Sequence, residues 1–285
     1  MTALTERLVF GTARLAGGPY AARSRRMIEA CIGADITRFD TAPGYGMGAS
    51  EALLGEVTAG LNDIALHTKV GSLRPSAPDL RGWAKWVRNL APNAAATHRL
   101  DGAIESFTQV PPGMTFSAEA VAGSLARSHD LLQREQIDLV LLHEAEPQLI
   151  DQSAWNTLCA AAAQGAIGRL GFAHYGPPQH SDPLLIAQTA PQAADFLCGT
   201  PGQPRIFHSI RRALRAAMRQ DTAITKAAEQ LTVQFGLSPD NGAHEYLVGL
   251  LLLARHWPDA ALIFATSRPE NLAEFVGLIA RVEDR

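Results

Sequence analysis

The sequence predicts an α/β protein folded as a (β/α)8, or TIM, barrel. Eight short apolar runs of strand character recur along 285 residues, and helical patterns separate most of them. In addition, three consecutive runs stop at a polar residue: Asp40, Lys69 and His143. No linker or composition shift marks a boundary, so residues 1–285 are expected to form one barrel domain.

The expected strands are LVF (8–10), ITRF (36–39), IALHT (64–68), IDLVLL (137–142), RLGFA (169–173), ADFLC (194–198), RIFHSI (205–210) and ALIFA (261–265). Each is short and rich in branched or aromatic side chains, which suit a pleated, buried surface. Helical periodicity follows in RRMIEACIGA, SEALLGEV, AEAVAGSLARSHDLLQRE and SAWNTLCAAAAQG. LVGLLLLA (247–254) is far too short to span a bilayer and reads as a buried helix. Pro269 suits the first turn of a last helix, ENLAEFVGLIARV.

Two stretches break the rhythm. Residues 71–116 carry Trp83, Trp86 and several prolines with little periodicity, as expected of a long functional β3–α3 loop. Only GTPGQP separates ADFLC from RIFHSI, whereas a helical crossover needs about a dozen residues. Either one of those two strands is misplaced or the barrel is irregular around strands 6–7.

With 47% hydrophobic and 19% charged residues the chain can bury a large core. A formal charge of −3 and one short RSRR run advertise no nucleic-acid face, so the expected partner is a small molecule. Cys31, Cys159 and Cys198 lie far apart without metal-ligand spacing. Neither a zinc site nor a disulfide framework is expected. The reading is a cytoplasmic protein with no membrane segment; the oligomeric state is left open.

The stretch FDTAPGYGMGASEALLGEV (39–57) sits where a strand passes into a helix, but its glycine spacing is not a dinucleotide fingerprint. In a barrel, the C-terminal strand ends form one face, where Asp40, Lys69, His143 and the loop residue Tyr45 would meet. Lys69 is expected to lower the phenol pKa of Tyr45 while Asp40 holds Lys69 in place. Tyr45 can then protonate a carbonyl oxygen that His143 orients, an arrangement suited to carbonyl reduction. Pro43 and Gly44 bend the chain, and Gly46 and Gly48 are expected to leave space beside the Tyr45 ring. Singly, each residue has a plainer reading as a turn, cap or solvated group; their joint placement carries the assignment.

At these residues the chain resembles the aldo-keto reductase family. The segments are FDTAPGYGMGASEALLG, HTKVG and LLQREQIDLVLLHEAEP, with further likeness at GTARLAGG, AAQGAIGRLGFAHYG and FATSRPENLAEFVG. It looks closest to bacterial aldose and pyridoxal dehydrogenase-type members. The resemblance implies a barrel that interconverts aldehydes, ketones or aldoses and their alcohols with NADPH and no metal. It maps the catalytic tetrad onto Asp40, Tyr45, Lys69 and His143, and places Gly11, Thr12 and Asp40 among the cofactor-binding residues. Thr266, Ser267 and Arg268 are expected at the 2′-phosphate and Asn271 beside the adenine, with Ala265 where a glycine is common.

The nicotinamide subsite departs from the family pattern. Ala173 and His174 stand where a Ser-Asn pair is usual, the glutamine expected after strand 6 is not evident near Cys198, and the stacking aromatic falls near His208. Two rivals follow: a non-catalytic NADP(H)-binding barrel acting as sensor or scaffold, and a lyase forming a Schiff base on Lys69.

Overall fold

The structure, a computed structural model, is described for residues 3–71, 116–145, 150–174, 176, 182, 184–199, 204–238 and 240–284. Eight parallel strands follow one another around a closed barrel in chain order, from β1 to β8. They are β1 (Leu8–Gly11), β2 (Arg38–Asp40), β3 (Ala65–Val70), β4 (Ile137–His143), β5 (Ile167–His174), β6 (Ile186–Thr189), β7 (Arg205–Phe207) and β8 (Ala261–Phe264). The helices are α1 (Ala21–Ile32), α2 (Ser50–Thr58), α3 (Ala118–Leu132), α4 (Gln152–Ala163), α5 (Ile210–Met218), α6 (Thr222–Phe235), α7 (Gly242–His256) and α8 (Pro269–Glu283).

Local chemistry explains several boundaries. Ser117 caps α3 by accepting the Ala120 N–H, and Asp151, Asp221 and Asn241 cap α4, α6 and α7 in the same way. Gln133 and Gly236 close α3 and α6 in the left-handed conformation, which reverses the chain and ends the helical ladder. The apolar run at 247–254 lies in α7, where Leu247, Val248, Leu250, Leu252 and Leu253 are buried.

The sixth strand lies elsewhere than the sequence suggests. ADFLC begins as a 3-10 turn, Ala193–Phe196, held by a capping box in which the Gln192 N–H donates to the Asp195 carboxylate at 2.7 Å. The strand itself is Ile186–Thr189, and all four of its residues are buried, including Gln188 and Thr189. The segment between β6 and β7 is thus longer than GTPGQP, which removes the crossover problem, although it carries a 3-10 turn and no α-helix among the described residues. RIFHSI divides as well: β7 stops at Phe207 and α5 begins at Ile210.

The chain divides into two compact units. One comprises Gly11–Glu29 and Phe39–Leu170. In it β3 pairs with β4, Lys69 opposite Leu141, and α3 packs against α2 and α4. The 71–116 loop, with Trp83 and Trp86, lies outside the described residues except at its ends. These meet: the Phe116 ring occupies the space a Cβ on Gly71 would need, and Gly71 has φ +97°.

The other unit comprises Met1–Phe10, Ala30–Arg38 and Gly171–Arg285. Here β8 pairs with β1 and β7, β6 pairs with β7 and β5, and α7 packs against α5, α6 and α8. Arg7, 4% exposed, donates to the carbonyls of Ala260 (2.9 Å), Trp257 (2.5 Å) and Ala254 (3.4 Å). The guanidinium thereby satisfies carbonyls at the end of α7 and in the turn that follows it. Arg7→Met removes these donors and leaves buried acceptors unpaired, so the expected loss of unfolding free energy is roughly 2–4 kcal/mol. Urea unfolding of the two proteins checks it; a loss below about 1 kcal/mol would place Arg7 among residues of ordinary surface effect.

Candidate active site

Asp40 is the last residue of β2 and Lys69 the penultimate residue of β3, each 3% exposed or less. The Lys69 ammonium donates to both Asp40 carboxylate oxygens at 2.8 Å and to the Thr41 carbonyl at 2.8 Å. Its three N–H bonds are all used. Burial favours the neutral amine, but Asp40 and Tyr45 together outweigh it through their charges and hydrogen bonds, and the Lys69 pKa stands above the ordinary lysine value.

The backbone around the pair is pinned from several sides. The Thr41 N–H donates to the His67 carbonyl at 2.8 Å, the Thr12 hydroxyl to the Asp40 carbonyl at 3.1 Å, and the Ser50 hydroxyl to the Thr12 carbonyl at 3.0 Å. Next to Lys69, the Thr68 hydroxyl donates to Glu51 at 2.7 Å. Glu51, almost wholly buried on the first turn of α2, went unrecognised in the sequence because a Glu there reads as an ordinary first-turn acid.

Tyr45 opens a 3-10 turn, Tyr45–Gly48, in which Gly46 and Met47 both have φ of 59°. Gly46 is required for its backbone: a Cβ there would run into the Ser50 hydroxyl and lie 2.8 Å from the Leu15 carbonyl oxygen. That, rather than room beside the tyrosine ring, is the constraint on this glycine.

The Lys69 Nζ lies 4.5 Å from the centroid of the Tyr45 ring, and the His143 ring meets Tyr45 edge-on with centroids 6.1 Å apart. The four residues Asp40, Tyr45, Lys69 and His143 are therefore brought together at the C-terminal ends of β2, β3 and β4. The electrostatics differ from expectation in one respect. Burial pushes the Tyr45 pKa above its ordinary value, Lys69 opposes this without overcoming it, and Asp40 and Glu144 add to the rise. Tyr45 at neutral pH is thus a phenol, able to donate a proton. Lys69 must shed a proton before it can attack a carbonyl, so its raised pKa weighs against the Schiff-base reading.

The remaining candidates lie mostly in the other unit. Ala173 and His174 end β5 and are buried, standing opposite Gln188 and Thr189 of β6. His208 Nε2 contacts the His174 carbonyl at 3.0 Å, and its Nδ1 contacts the Ser209 hydroxyl at 3.0 Å. A carbonyl only accepts, so Nε2 carries the proton and Nδ1 of the neutral ring accepts from Ser209. The structure thus joins His174 and His208. β6 itself carries a buried glutamine, Gln188, 2% exposed, whereas the sequence suggested none near Cys198. The signal was LLIAQT, an apolar run between Pro183 and Pro191 that ends in two polar residues.

At the C-terminal end of β8, Thr266 accepts the Arg268 N–H at 3.2 Å, and Arg268 is the N-cap of α8. Ser267 is therefore not the cap, and the α8 N-cap makes no side-chain hydrogen bond. Arg268 and Asn271 are exposed, and Ser267 is half-buried. Gly11 ends β1 in the other unit and is buried, as is Thr12 beside it. Among the described residues no cluster of His, Cys, Asp or Glu could hold a metal ion, and no helix is long and apolar enough to cross a membrane.

The chain is similar to several known proteins. Over 155 residues the chain is 29% identical to D-threo-aldose 1-dehydrogenase of Pseudomonas sp, an alignment covering 51% of this chain and 42% of that protein. Over 173 residues it is 25% identical to 6-dehydroglucose reductase of Agrobacterium fabrum, covering 60% and 50%. The chain thus spans about half the length or less of these curated relatives.

Among solved structures, a thermostable aldo-keto reductase in complex with the inhibitor epalrestat superposes with a TM-score of 0.65 at 16% identity, covering 96% of this chain and 89% of that one. An aldo/keto reductase from Klebsiella pneumoniae in complex with NADP and acetate gives 0.60 at 16% identity, covering 96% and 85%. Both share the fold. The family model described as "Aldo/keto reductase family" matches residues 7–184, more than half of the sequence and all of the segment carrying Asp40, Tyr45, Lys69 and His143, and the chain belongs to that family.

Proposed function

We propose that this protein is an NADPH-dependent oxidoreductase that interconverts a carbonyl, of an aldehyde, ketone or aldose, and its alcohol. The observation that carries the proposal is the protonated Tyr45 phenol set between the Lys69 ammonium and the His143 ring. Tyr45 donates the proton to the carbonyl oxygen and recovers it in the reverse direction. The His143 ring, edge-on to Tyr45, orients the same oxygen. Lys69 stabilises the phenolate left behind, and Asp40 fixes the ammonium in position through two 2.8 Å contacts.

The residues fit a nicotinamide cofactor. When bound, NADPH supplies the hydride that reduces the carbonyl carbon. Gln188, His174 and His208 would hold the nicotinamide end, and the family resemblance adds Gly11 and Thr12 to the cofactor-binding residues. The α8 N-terminus, its cap making no side-chain bond, would take the 2′-phosphate with Thr266, Ser267 and the exposed Arg268 guanidinium, with Asn271 toward the adenine. The solved relative from Klebsiella pneumoniae in complex with NADP supports this choice of cofactor. All three cysteines are free, which suits the reducing cytoplasm we assign to the protein.

The two sugar-converting relatives favour a polyhydroxylated substrate. The direct test is NADPH consumption and NADP+ reduction across a panel of aldehydes, ketones and aldoses. Tight cofactor binding with no turnover on the whole panel would favour a sensor or scaffold instead. For the phosphate site, Arg268→Ala should weaken NADPH binding by about 1.5–3 kcal/mol, the size of a hydrogen bond to a charged group, and spare NADH. Titrating both cofactors against both proteins checks this; equal losses would show that Arg268 does not read the phosphate.

A further inference from the structure

A glutamate in the first turn of a helix ordinarily stays in water, facing the positive end of the helix dipole. Glu51 does not: in α2 it is 1% exposed, and its Oε1 accepts the Thr68 hydroxyl at 2.7 Å. Burying a carboxylate is unfavourable, and apolar side chains hold a helix to a barrel without that penalty. Leu53 and Leu54 of the same helix already supply buried apolar surface. The Glu51–Thr68 bond therefore adds direction rather than adhesion.

Both ends of this bond lie where placement matters. Thr68 directly precedes Lys69 on β3, and successive strand residues face opposite sides. Glu51 thus holds the strand from one side, while Asp40 and the Thr41 carbonyl hold the Lys69 ammonium on the other. At the other end of the bond, only Ala49 separates α2 from the Tyr45–Gly48 turn, and the Ala49 N–H donates to the Gly46 carbonyl at 3.3 Å. The neighbouring Ser50 hydroxyl reaches the Thr12 carbonyl, and the Thr12 hydroxyl reaches the Asp40 carbonyl. The first turn of α2 is in this way continuous with the segment carrying Tyr45, bonded to the strand carrying Lys69, and linked through Thr12 to Asp40.

We propose that Glu51, acting through Thr68, is a positioning residue that fixes the Tyr45 turn relative to the Lys69 ammonium. This assignment rests on the reductase reading given above and adds a residue that acts without touching the reacting atoms. The 4.5 Å separation of Lys69 Nζ from the Tyr45 ring centroid joins two chain segments, and the Glu51–Thr68 bond is a direct tie between the helix that continues one and the strand that carries the other. Displacing a reacting group by about 1 Å can cost on the order of a hundredfold in rate.

The test compares the wild type with Glu51→Met, Thr68→Val, the double variant Glu51→Met/Thr68→Val, and Glu51→Gln. Methionine keeps the length of the side chain without the acceptor, valine keeps the branched shape without the donor, and glutamine keeps a carbonyl acceptor for the Thr68 hydroxyl. kcat and KM are measured with NADPH and the best carbonyl of the panel, below the melting temperature of every variant and normalised to titrated NADPH sites, so that unfolded protein does not count. In Glu51→Met and in Thr68→Val, kcat should fall about ten- to a hundredfold while KM changes less than about threefold. The double variant should be no slower than the slower single one, because both substitutions remove the same bond. Glu51→Gln should retain most of kcat.

A merely structural glutamate would lower the melting temperature and leave the normalised kcat alone. A normalised kcat within about threefold of wild type in either Glu51→Met or Thr68→Val would therefore overturn the Glu51 assignment and leave the reductase reading standing. Losses that multiply in the double variant, or a Glu51→Gln enzyme as slow as Glu51→Met, would overturn it as well, since the residues would then act otherwise than through their shared bond. Failure of the wild type to turn over any aldehyde, ketone or aldose would overturn the reductase reading and this assignment with it.

Discussion

Tyr45→Phe lowers carbonyl turnover by roughly 10²–10⁴-fold, the usual size of a lost proton donor, while NADPH still binds. The ring remains, so its contacts with the Lys69 ammonium and the edge of His143 persist and the fold is undisturbed. What disappears is the hydroxyl that burial holds in the protonated state. The loss should appear in kcat, because the proton moves only as the carbonyl is reduced, and substrate KM should change little. Steady-state kinetics on the best carbonyl of the panel checks this. A Phe enzyme within a few-fold of wild type would move the donor role to His143 or to water, since lost acid–base catalysis ordinarily costs at least about a hundredfold.

Lys69→Met has two large effects, and a second substitution separates them. Removing the ammonium leaves the Asp40 carboxylate buried without the partner that contacts it through both oxygens, which should cost about 3–5 kcal/mol of stability. It also removes the charge that opposes the rise in the Tyr45 pKa, so the phenolate left after proton transfer loses its stabilisation. Activity should fall at least as far as in Tyr45→Phe. In the double variant Lys69→Met/Asp40→Asn no unpaired charge is buried, and most of the stability should return. Turnover should not. Measuring unfolding free energy and kcat for both proteins gives the answer: activity that recovers together with stability would mean that the pair only holds the fold.

The barrel and its chemistry were legible in different degrees. β3 and β4 are long, apolar and end in Lys69 and His143 or next to them, so their boundaries and polar termini stood out. β6 did not, because half of its four buried residues are Gln188 and Thr189, and a buried polar strand lacks the apolar run that marks its neighbours. ADFLC attracted the assignment through its apolar residues, although Asp195 serves a capping box and Phe196 fills the core from a 3-10 turn. Losing β6 also hid Gln188.

The meeting of Asp40, Tyr45, Lys69 and His143 followed from barrel geometry, since the C-terminal ends of successive strands share a face. The direction of the Tyr45 pKa did not follow, because a sequence shows that a lysine is near but not how much water is excluded. The role of Gly46 needed the distance to the Leu15 carbonyl, a contact between distant parts of the chain. Glu144 was quoted within a motif, but its φ of 49° is visible only in the structure.

The most direct test is a single turnover. Wild type and Tyr45→Phe are each loaded with NADPH, mixed with excess aldehyde, and followed by loss of the nicotinamide absorbance. The proposed mechanism predicts rapid, complete loss in the wild type and a rate lower by roughly 10²–10⁴-fold in Tyr45→Phe. Equal rates in the two proteins, or no loss in the wild type with any aldehyde or aldose tried, would contradict it.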